Sequence, residues 1–251
     1  MNPVAPLAVL ALGIGLSQIA SAADAGIPIG PPSPVTANNW SGLYLGVNLG
    51  GAWQSAPNWT YFNPNNGASF LLTSPGDWGA AGGLQGGYNW QSGALVLGVE
   101  GDVSRTSLSQ TRTTPTIGPG SFARMSAAYD WLASARGRIG LVGWNNTLFY
   151  VSGGVASASI ENNGHMTRFI GAAEYVADAT STTVGAGWVL GGGAEWMVDP
   201  HVMVRLEYLY YDLDNTPSLT GPIFPGKFLP VTFTWSNDHV QVVRAGLSYK
   251  F

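Results

Sequence analysis

From Trp40 to the last residue, apolar and polar side chains alternate with a period of two, broken at intervals by stretches rich in Pro, Gly, Asn and Thr. A period of two places successive side chains on opposite faces of an extended strand. In Gly42–Gln54, Leu43, Leu45, Val47, Leu49 and Trp53 share one face, while Tyr44, Asn48 and Gln54 share the other with glycines and Ala52. Gly82–Gln91 sets Leu84, Tyr88 and Trp90 against Gln85 and Asn89, and Ala94–Ser104 sets Leu95, Leu97, Val99 and Val103 against Glu100 and Asp102. Trp131–Leu141 opposes Trp131, Ala133, Ala135, Ile139 and Leu141 to Ser134, Arg136 and Arg138. Leu148–Ser159 follows, with Phe149, Val151 and Val155 on its apolar face. Val184–Val198 opposes Trp188, Leu190 and Trp196 to Glu195, and Val202–Asp212 alternates Val204, Leu206, Tyr208 and Tyr210 with Arg205 and Glu207. His239–Phe251 closes the series, with Val243, Leu247, Tyr249 and Phe251 opposite Arg244, Ser248 and Lys250.

These eight segments are joined by connections of alternating length. Short turns are expected at Gln91–Gly93, Val142–Asn146 and Asp199–His201. Long polar loops are expected at about Ser55–Asp77, Arg105–Asp130, Glu161–Ser181 and Leu213–Asp238. A soluble sandwich has no reason for that alternation, whereas short periplasmic turns and long external loops characterise transmembrane barrels. The aromatic residues agree. Trp188 and Trp196 share a face eight residues apart, roughly 26 Å along a strand. A tilt of ~40° projects this to about 20 Å, close to the ~25 Å apolar band between aromatic belts. Trp90, Phe149, Tyr249 and Phe251 are expected at the periplasmic ends and Trp53, Trp131 and Tyr210 near the outer ends, with Trp188 and Trp196 spanning the distance between the two belts. The pattern therefore predicts an all-β, eight-stranded antiparallel up-and-down barrel with apolar residues facing lipid and polar residues facing a lumen.

Composition sharpens this. Charged residues are 10% of the chain, against about 25% in soluble domains. Glycine (35 residues) and aromatics (12%) are abundant, and no cysteine is present. That removes disulfides and thiolate metal sites, and a formal charge of −4 with no basic cluster argues against nucleic acid. Val4–Leu16 has the length of a signal-peptide apolar region, and Ala20-Ser21-Ala22 is a small-x-small cleavage site. Residues 1–22 are thus expected to be a signal peptide, although no Lys or Arg precedes the apolar run, which points to a translation start upstream. The run is shorter than the ~20 residues of a membrane-spanning helix. Residues 23–39, with Pro28, Pro31, Pro32 and Pro34, read as a disordered lead-in, and 40–251 as the barrel domain.

Several stretches carry a resemblance: WSGLYLGVNLGGAW (Trp40–Trp53), GGLQGGYNWQ (Gly82–Gln91), GVEGD (Gly98–Asp102), ARGRIG (Ala135–Gly140), YVSGGVA (Tyr150–Ala156), GGGAEW (Gly191–Trp196), VRLEYLYYDL (Val204–Leu213) and AGLSYKF (Ala245–Phe251). Together they resemble the small proteobacterial porin-family barrels, the outer-membrane immunogenic proteins with an OmpA-like eight-stranded barrel. The resemblance implies a Gram-negative outer-membrane location among lipid and lipopolysaccharide, with membrane-structural, surface-antigen or small-porin roles. It implies no catalytic residues. The C-terminal residues Tyr249 and Phe251 resemble the signal read by the barrel-assembly machinery.

The inward charges Glu100, Asp102, Arg136, Arg138, Glu195, Arg205, Glu207 and Arg244 are the most informative polar feature, and Lys250 shares their face. They lie on neighbouring strands with opposite signs, and centring a hairpin on Pro200 sets Glu195 across from Arg205. Two roles compete: a polar lining that conducts ions, and a salt-bridged plug. An eight-stranded barrel has an interior that side chains can just fill, which favours the plug, with glycines such as Gly46, Gly98 and Gly246 leaving local gaps. A narrow pore for ions or small solutes remains the alternative. Lipid-modifying chemistry is remote, because His165, His201 and His239 are scattered and form no nucleophile–base–orienter set. No cofactor or metal site is expected, and any external ligand is expected on the long loops.

Overall fold

The computed structural model describes residues 39–54, 58–72, 76–114, 120–214, 216–224, 228–236 and 238–251. The signal peptide and all but the last residue of the Pro-rich lead-in lie outside them. Eight long strands run β1 (Gly42–Gln54), β2 (Trp78–Ser92), β3 (Leu95–Thr106), β4 (Phe122–Val142), β5 (Thr147–Ile170), β6 (Ala173–Asp199), β7 (Val202–Asp214) and β8 (Asp238–Lys250). Each is antiparallel to its sequence neighbours, and β8 returns to β1, with Tyr44 opposite Lys250 and Gln54 opposite Val240. The eight strands therefore form a ring in which every strand is paired on both sides.

The alternation in the sequence is the alternation of the wall. Leu43, Leu45, Val47 and Leu49 on β1 are exposed on the outer face, as are Leu95, Leu97, Val99 and Val103 on β3 and Val204 and Leu206 on β7. Between the aromatic belts this face carries no Asp, Glu, Lys or Arg among the described residues. Outward charges begin only at its margins, with Arg105, Asp130 and Asp212 at one end and Asp199 at the other. A face so depleted of charge over the whole circumference suits hydrocarbon, where a charge near the midplane costs about 2–4 kcal/mol.

The connections at one end are short. Gly93–Ala94 and Pro200–His201 are tight turns, and one 3-10 turn, Trp144–Asn146, holds Asn145 and Asn146 at positive φ, which Asn tolerates better than most residues.

The other end differs from the expected four irregular loops. The stretch Glu161–Ser181 is not a loop: β5 and β6 remain paired to Ile170 opposite Ala173, and only Gly171–Ala172 turn, Gly171 adopting φ +62°. β5 has 24 residues and β6 has 27, more than twice the ~9–11 that a spanning strand requires, so this hairpin rises far above the membrane. Similarly β4 begins at Phe122 rather than Trp131, and a short strand Ser109–Thr113 pairs with it. Its inward and outward residues exchange parity at Asp130, where a bulge separates the Tyr129 and Trp131 pairings.

The other two long connections also fold. Trp59–Asn63 and Ala68–Leu72 form a hairpin, and Val231–Thr234 and Ser218–Gly221 extend it into a four-stranded sheet in the order Ser218–Gly221, Val231–Thr234, Trp59–Asn63, Ala68–Leu72. Ile223–Phe224 then pairs with β6 at Ala177 and Val176. The inner face of this sheet and the inner face of the raised β4–β6 wall share one buried cluster.

Because the chain holds no cysteine, single cysteines report topology cleanly. A membrane-impermeant maleimide is expected to label Ser69→Cys and Ala172→Cys in intact cells, and to label Ala94→Cys and His201→Cys only after the outer membrane is opened. Labelling of the second pair in intact cells would contradict this orientation.

Candidate functional site

The interior is the candidate site, and it is filled at three heights. At the short-turn end Trp40, just before β1, is fully buried with Tyr44, Val96, Leu148, Tyr150, Met197 and Met203. The chain is fastened there by Trp40 N–H to Gln91 Oε1 at 2.7 Å and by Lys250 Nζ to the Asn39 carbonyl at 2.6 Å. This floor was not foreseen from the alternation, since Trp40 precedes the first strand.

Above it lies the charged waist. Glu100 and Asp102 (β3), Arg136 and Arg138 (β4), Glu195 (β6), Arg205 and Glu207 (β7) and Arg244 (β8) are all buried. Glu100 accepts from Arg136 Nη2 at 2.5 Å, Arg205 Nη1 at 2.6 Å, and the Tyr44 hydroxyl. Glu195 accepts from Arg138 at 2.6 Å and from Arg205 at 2.9 Å. Glu207 is held by Arg136 at 2.9 Å, Arg244 at 2.8 Å and the Tyr150 hydroxyl at 2.9 Å. Asp102 takes Arg136 at 3.0 Å, Arg244 at 2.9 Å and Ser134 Oγ at 2.5 Å. Each arginine thus bridges at least two carboxylates, and four positive charges meet four negative ones. The Arg138 guanidinium also lies 4.2 Å over the Tyr150 ring, a favourable contact when desolvated. Gln85 and Ser248 (3.0 Å), with Asn48 and Ser104 (3.0 Å), continue the network upward, so that all eight strands contribute.

The inward glycines do not leave gaps as expected. A Cβ on Gly98 would meet Asn89 Oδ1 and Arg138 Cγ, one on Gly246 would meet Arg205 Cγ, and one on Gly46 would meet Ser248. The long neighbouring side chains occupy the space that glycine vacates, which is how arginine stems fit in so narrow an interior.

The outer height is mainly apolar, with the amides of Gln54, Asn63, Gln110 and Asn162 buried among the rings. Trp59, Tyr61, Phe233 and Trp235, all from the folded connections, are fully buried against Met125, Tyr129, Ile160 and Met166 of the raised wall. Phe233 lies against Gly164, where no Cβ would fit. Burial raises the Tyr61 phenol above its ordinary pKa and keeps it neutral. The signal for this storey was present as short alternations, WTYFN and VTFTW, inside stretches whose Pro and Gly content favoured loops.

The predicted belt residues face outward. Trp53 packs on Tyr208 (6.3 Å) and Trp188 on Tyr210 (5.6 Å) at the outer end, with Trp131 at the level of Arg105. Trp90, Trp196, Tyr249 and Phe251 are exposed near the short turns. Trp78, opposite Trp53 across β1 and β2, and Trp144, in the short 3-10 turn, are also exposed, at 82% and 85%, and were missed.

One catalytic-looking arrangement appears where the sequence suggested none. His165 Nδ1 lies 2.7 Å from Asp178 Oδ1 and its Nε2 lies 3.0 Å from Thr167 Oγ1. Thr167 is 6% exposed, so its hydroxyl is a poor nucleophile for any external substrate, and the trio reads as a cross-strand network on the raised hairpin. Among the described residues no cluster of His, Cys, Asp and Glu could hold a metal.

Comparison with known proteins gives one consistent answer. The sequence profile of the outer membrane protein beta-barrel domain matches residues 8–251. The chain is 28% identical over 242 residues to a 31 kDa outer-membrane immunogenic protein of Brucella melitensis, covering 92% of this chain and 94% of that one. It is 29% identical over 188 residues to a 22 kDa outer membrane protein of Rhizobium leguminosarum bv. viciae, covering 71% and 70%. The outer membrane protein OprG of Pseudomonas aeruginosa has a similar fold, with a TM-score of 0.53 at 14% identity, covering 86% of this chain and 98% of that one.

The waist can be tested by its coupling. Arg205→Ala orphans part of two buried carboxylates and is expected to cost about 3–5 kcal/mol, while adding Glu195→Ala should cost much less than a second independent loss. Urea unfolding from lipid vesicles, followed by tryptophan fluorescence, measures both. Losses that add within error would contradict the pairing.

Proposed function

The chain belongs to the outer membrane protein β-barrel domain family, and from that premise we propose that it is a closed, surface-displaying scaffold of the outer membrane rather than a diffusion pore. It is an integral outer-membrane β-barrel in contact with membrane lipid. The observation that carries the proposal is the waist, where four guanidinium and four carboxylate groups from five strands interlock across the interior. A conducting lumen needs mobile water beside at least some of its charges. Here each charge is held by partners, and packed, mainly apolar layers lie below and above. Unpaired, any of these groups would carry a desolvation cost of several kcal/mol, which opposes opening.

With the lumen closed, what the protein offers its surroundings is the folded cap and the raised hairpin. Its relatives' description as outer-membrane immunogenic proteins supports a surface-antigen or adhesion-like role carried by those parts. The role requires no catalysis, and the alignment of Thr167, His165 and Asp178 is shielded at its hydroxyl. Tyr249 and Phe251, at the end of the strand that closes the ring, are proposed as the segment read by the assembly machinery. With Phe251 deleted, surface labelling of Ala172→Cys should fall, and an unchanged signal would reject that role.

Closure of the waist predicts a specific reactivity. Ser152 lies beside Arg136 Nη1 at 3.2 Å. Ser152→Cys should resist a small charged methanethiosulfonate applied from either side of the membrane, and adding Arg136→Ala should expose it. Rapid modification in the otherwise intact barrel would overturn the closed-scaffold reading.

A further inference from the structure

Two Asn-Gly steps occur in the chain, Asn66-Gly67 and Asn163-Gly164, and the fold puts them in opposite conditions. A glycine after asparagine carries no Cβ to shield its amide nitrogen. That nitrogen can reach the asparagine side-chain carbonyl carbon and close a five-membered imide. Closure needs backbone freedom at the asparagine, an accessible side chain and a carbonyl that is already polarised.

Asn66-Gly67 meets all three needs. The pair ends the turn 64–67 that joins Trp59–Asn63 to Ala68–Leu72, and both residues are exposed. Gly67 stands at φ +69°, and a Cβ built on it would meet nothing within 4 Å, so the approach beside it is open. The Asn66 side chain curls over the Gly67 nitrogen, because its Oδ1 accepts from the Ala68 N–H at 3.1 Å, as asparagine does in an Asx turn. The same hydrogen bond donates to the oxygen on which negative charge collects as the carbonyl is attacked, and such a donor stabilises the developing oxyanion.

Asn163-Gly164 is the contrary case. It lies inside β5, with Asn163 opposite Ser126 of β4 and Thr180 of β6, so rotation there breaks the ladder on both sides. Asn163 Nδ2 donates to Glu161 Oε1 at 2.9 Å, which holds the side chain along the strand. Its glycine is explained by packing, since Phe233 fills the place of a Gly164 Cβ.

We propose that Asn66 is a site of spontaneous deamidation on the cap, with Gly67 as the nucleophile and the turn as the source of the geometry. The Gly67 nitrogen gives its proton to hydroxide and bonds to Asn66 Cγ, and the side-chain nitrogen leaves as ammonia. Water then adds to either imide carbonyl and opens the ring to aspartate or isoaspartate. Either product adds a negative charge beside two uncharged strands, Trp59–Asn63 and Ala68–Leu72. Isoaspartate also adds a methylene to the main chain next to Asn65, whose side chain holds the Leu229 backbone by two hydrogen bonds of 2.8 Å. The cap of an aged molecule therefore differs from that of a new one in charge and in the fastening of Leu229. This bears on the surface-display reading only through the cap's being what the surroundings meet, and the chemistry itself is independent of that reading.

The test ages the full-length barrel in lipid nanodiscs at mildly alkaline pH. Mass spectrometry of proteolytic fragments follows the amide-to-acid conversion, and enzymatic methylation scores isoaspartate. In the folded barrel Asn66 should convert roughly tenfold or more faster than Asn163, because β5 must open locally before its imide can form. In urea the two rates should converge, and aspartate and isoaspartate should appear together at position 66. Asn66→Gln, whose longer side chain cannot close the five-membered ring, should remain an amide. Three results would overturn the proposal: equal rates at the two asparagines in the folded barrel, an Asn66 that converts in urea but stays intact when folded, or aspartate without isoaspartate, which means direct hydrolysis. Neither topology nor conductance is read, so failure here leaves the closed-scaffold account standing.

Discussion

In hydrocarbon a backbone N–H or C=O without a partner costs several kcal/mol, and only a helix or a closed ring of strands avoids that cost. Everything else in this protein is arranged around the ring. Closure by β8 onto β1 removes the edges within the membrane, and closure with eight strands leaves an interior only wide enough for side chains. The outward half of each strand must then be apolar, and the inward half must fill a narrow cylinder without leaving a polar group stranded. The sequence answers the second demand at the waist with long arginines facing carboxylates, set beside glycines that yield their volume. Nearer the short turns the buried Asn89 amide and Trp40 Nε1 find no hydrogen-bond partner among the described residues.

Buried ion pairs are weak evidence of stability, because desolvation offsets much of their attraction. Their effect here is on uniqueness. Each arginine bridges carboxylates on different strands: Arg205 joins Glu195 of the adjacent strand to Glu100 across the interior, and Arg244 joins Glu207 to Asp102. A register slip of one residue would move these charges to the lipid face, at a cost no other contact could recover. The waist thus fixes register around the ring at the same height at which it closes the lumen. Above the membrane the constraint relaxes, and free edges reappear in the cap.

The ring was legible because inside and outside differ sharply in chemistry. Leu43, Leu45, Val47 and Leu49 against Tyr44 and Asn48 leave no doubt about the face, and a turn centred near Pro200 is enough to oppose Glu195 and Arg205. The raised portions were not legible for the same reason inverted. In Glu161–Ser181 polar and apolar residues occur at both parities, so outside the membrane the alternation has little contrast. At Asp130 a bulge exchanges the two faces, which breaks any attempt to carry the Trp131 frame backwards. Pairs such as Arg205–Glu100, 105 residues apart, depend on how the ring staggers on closing, and no local spacing encodes that. Trp40 and the cap aromatics were hidden by the Pro- and Gly-rich context that surrounds them.

The central claim is that interlocked side chains, rather than water, occupy the barrel waist. Planar-bilayer recording from purified monomer measures this most directly, with liposome swelling in small sugars as its companion. The account predicts no swelling and at most small, intermittent ion conductance, rising when Glu100, Arg136 and Glu207 are truncated together. Steady, large openings from the unaltered monomer would contradict it and make the barrel a pore.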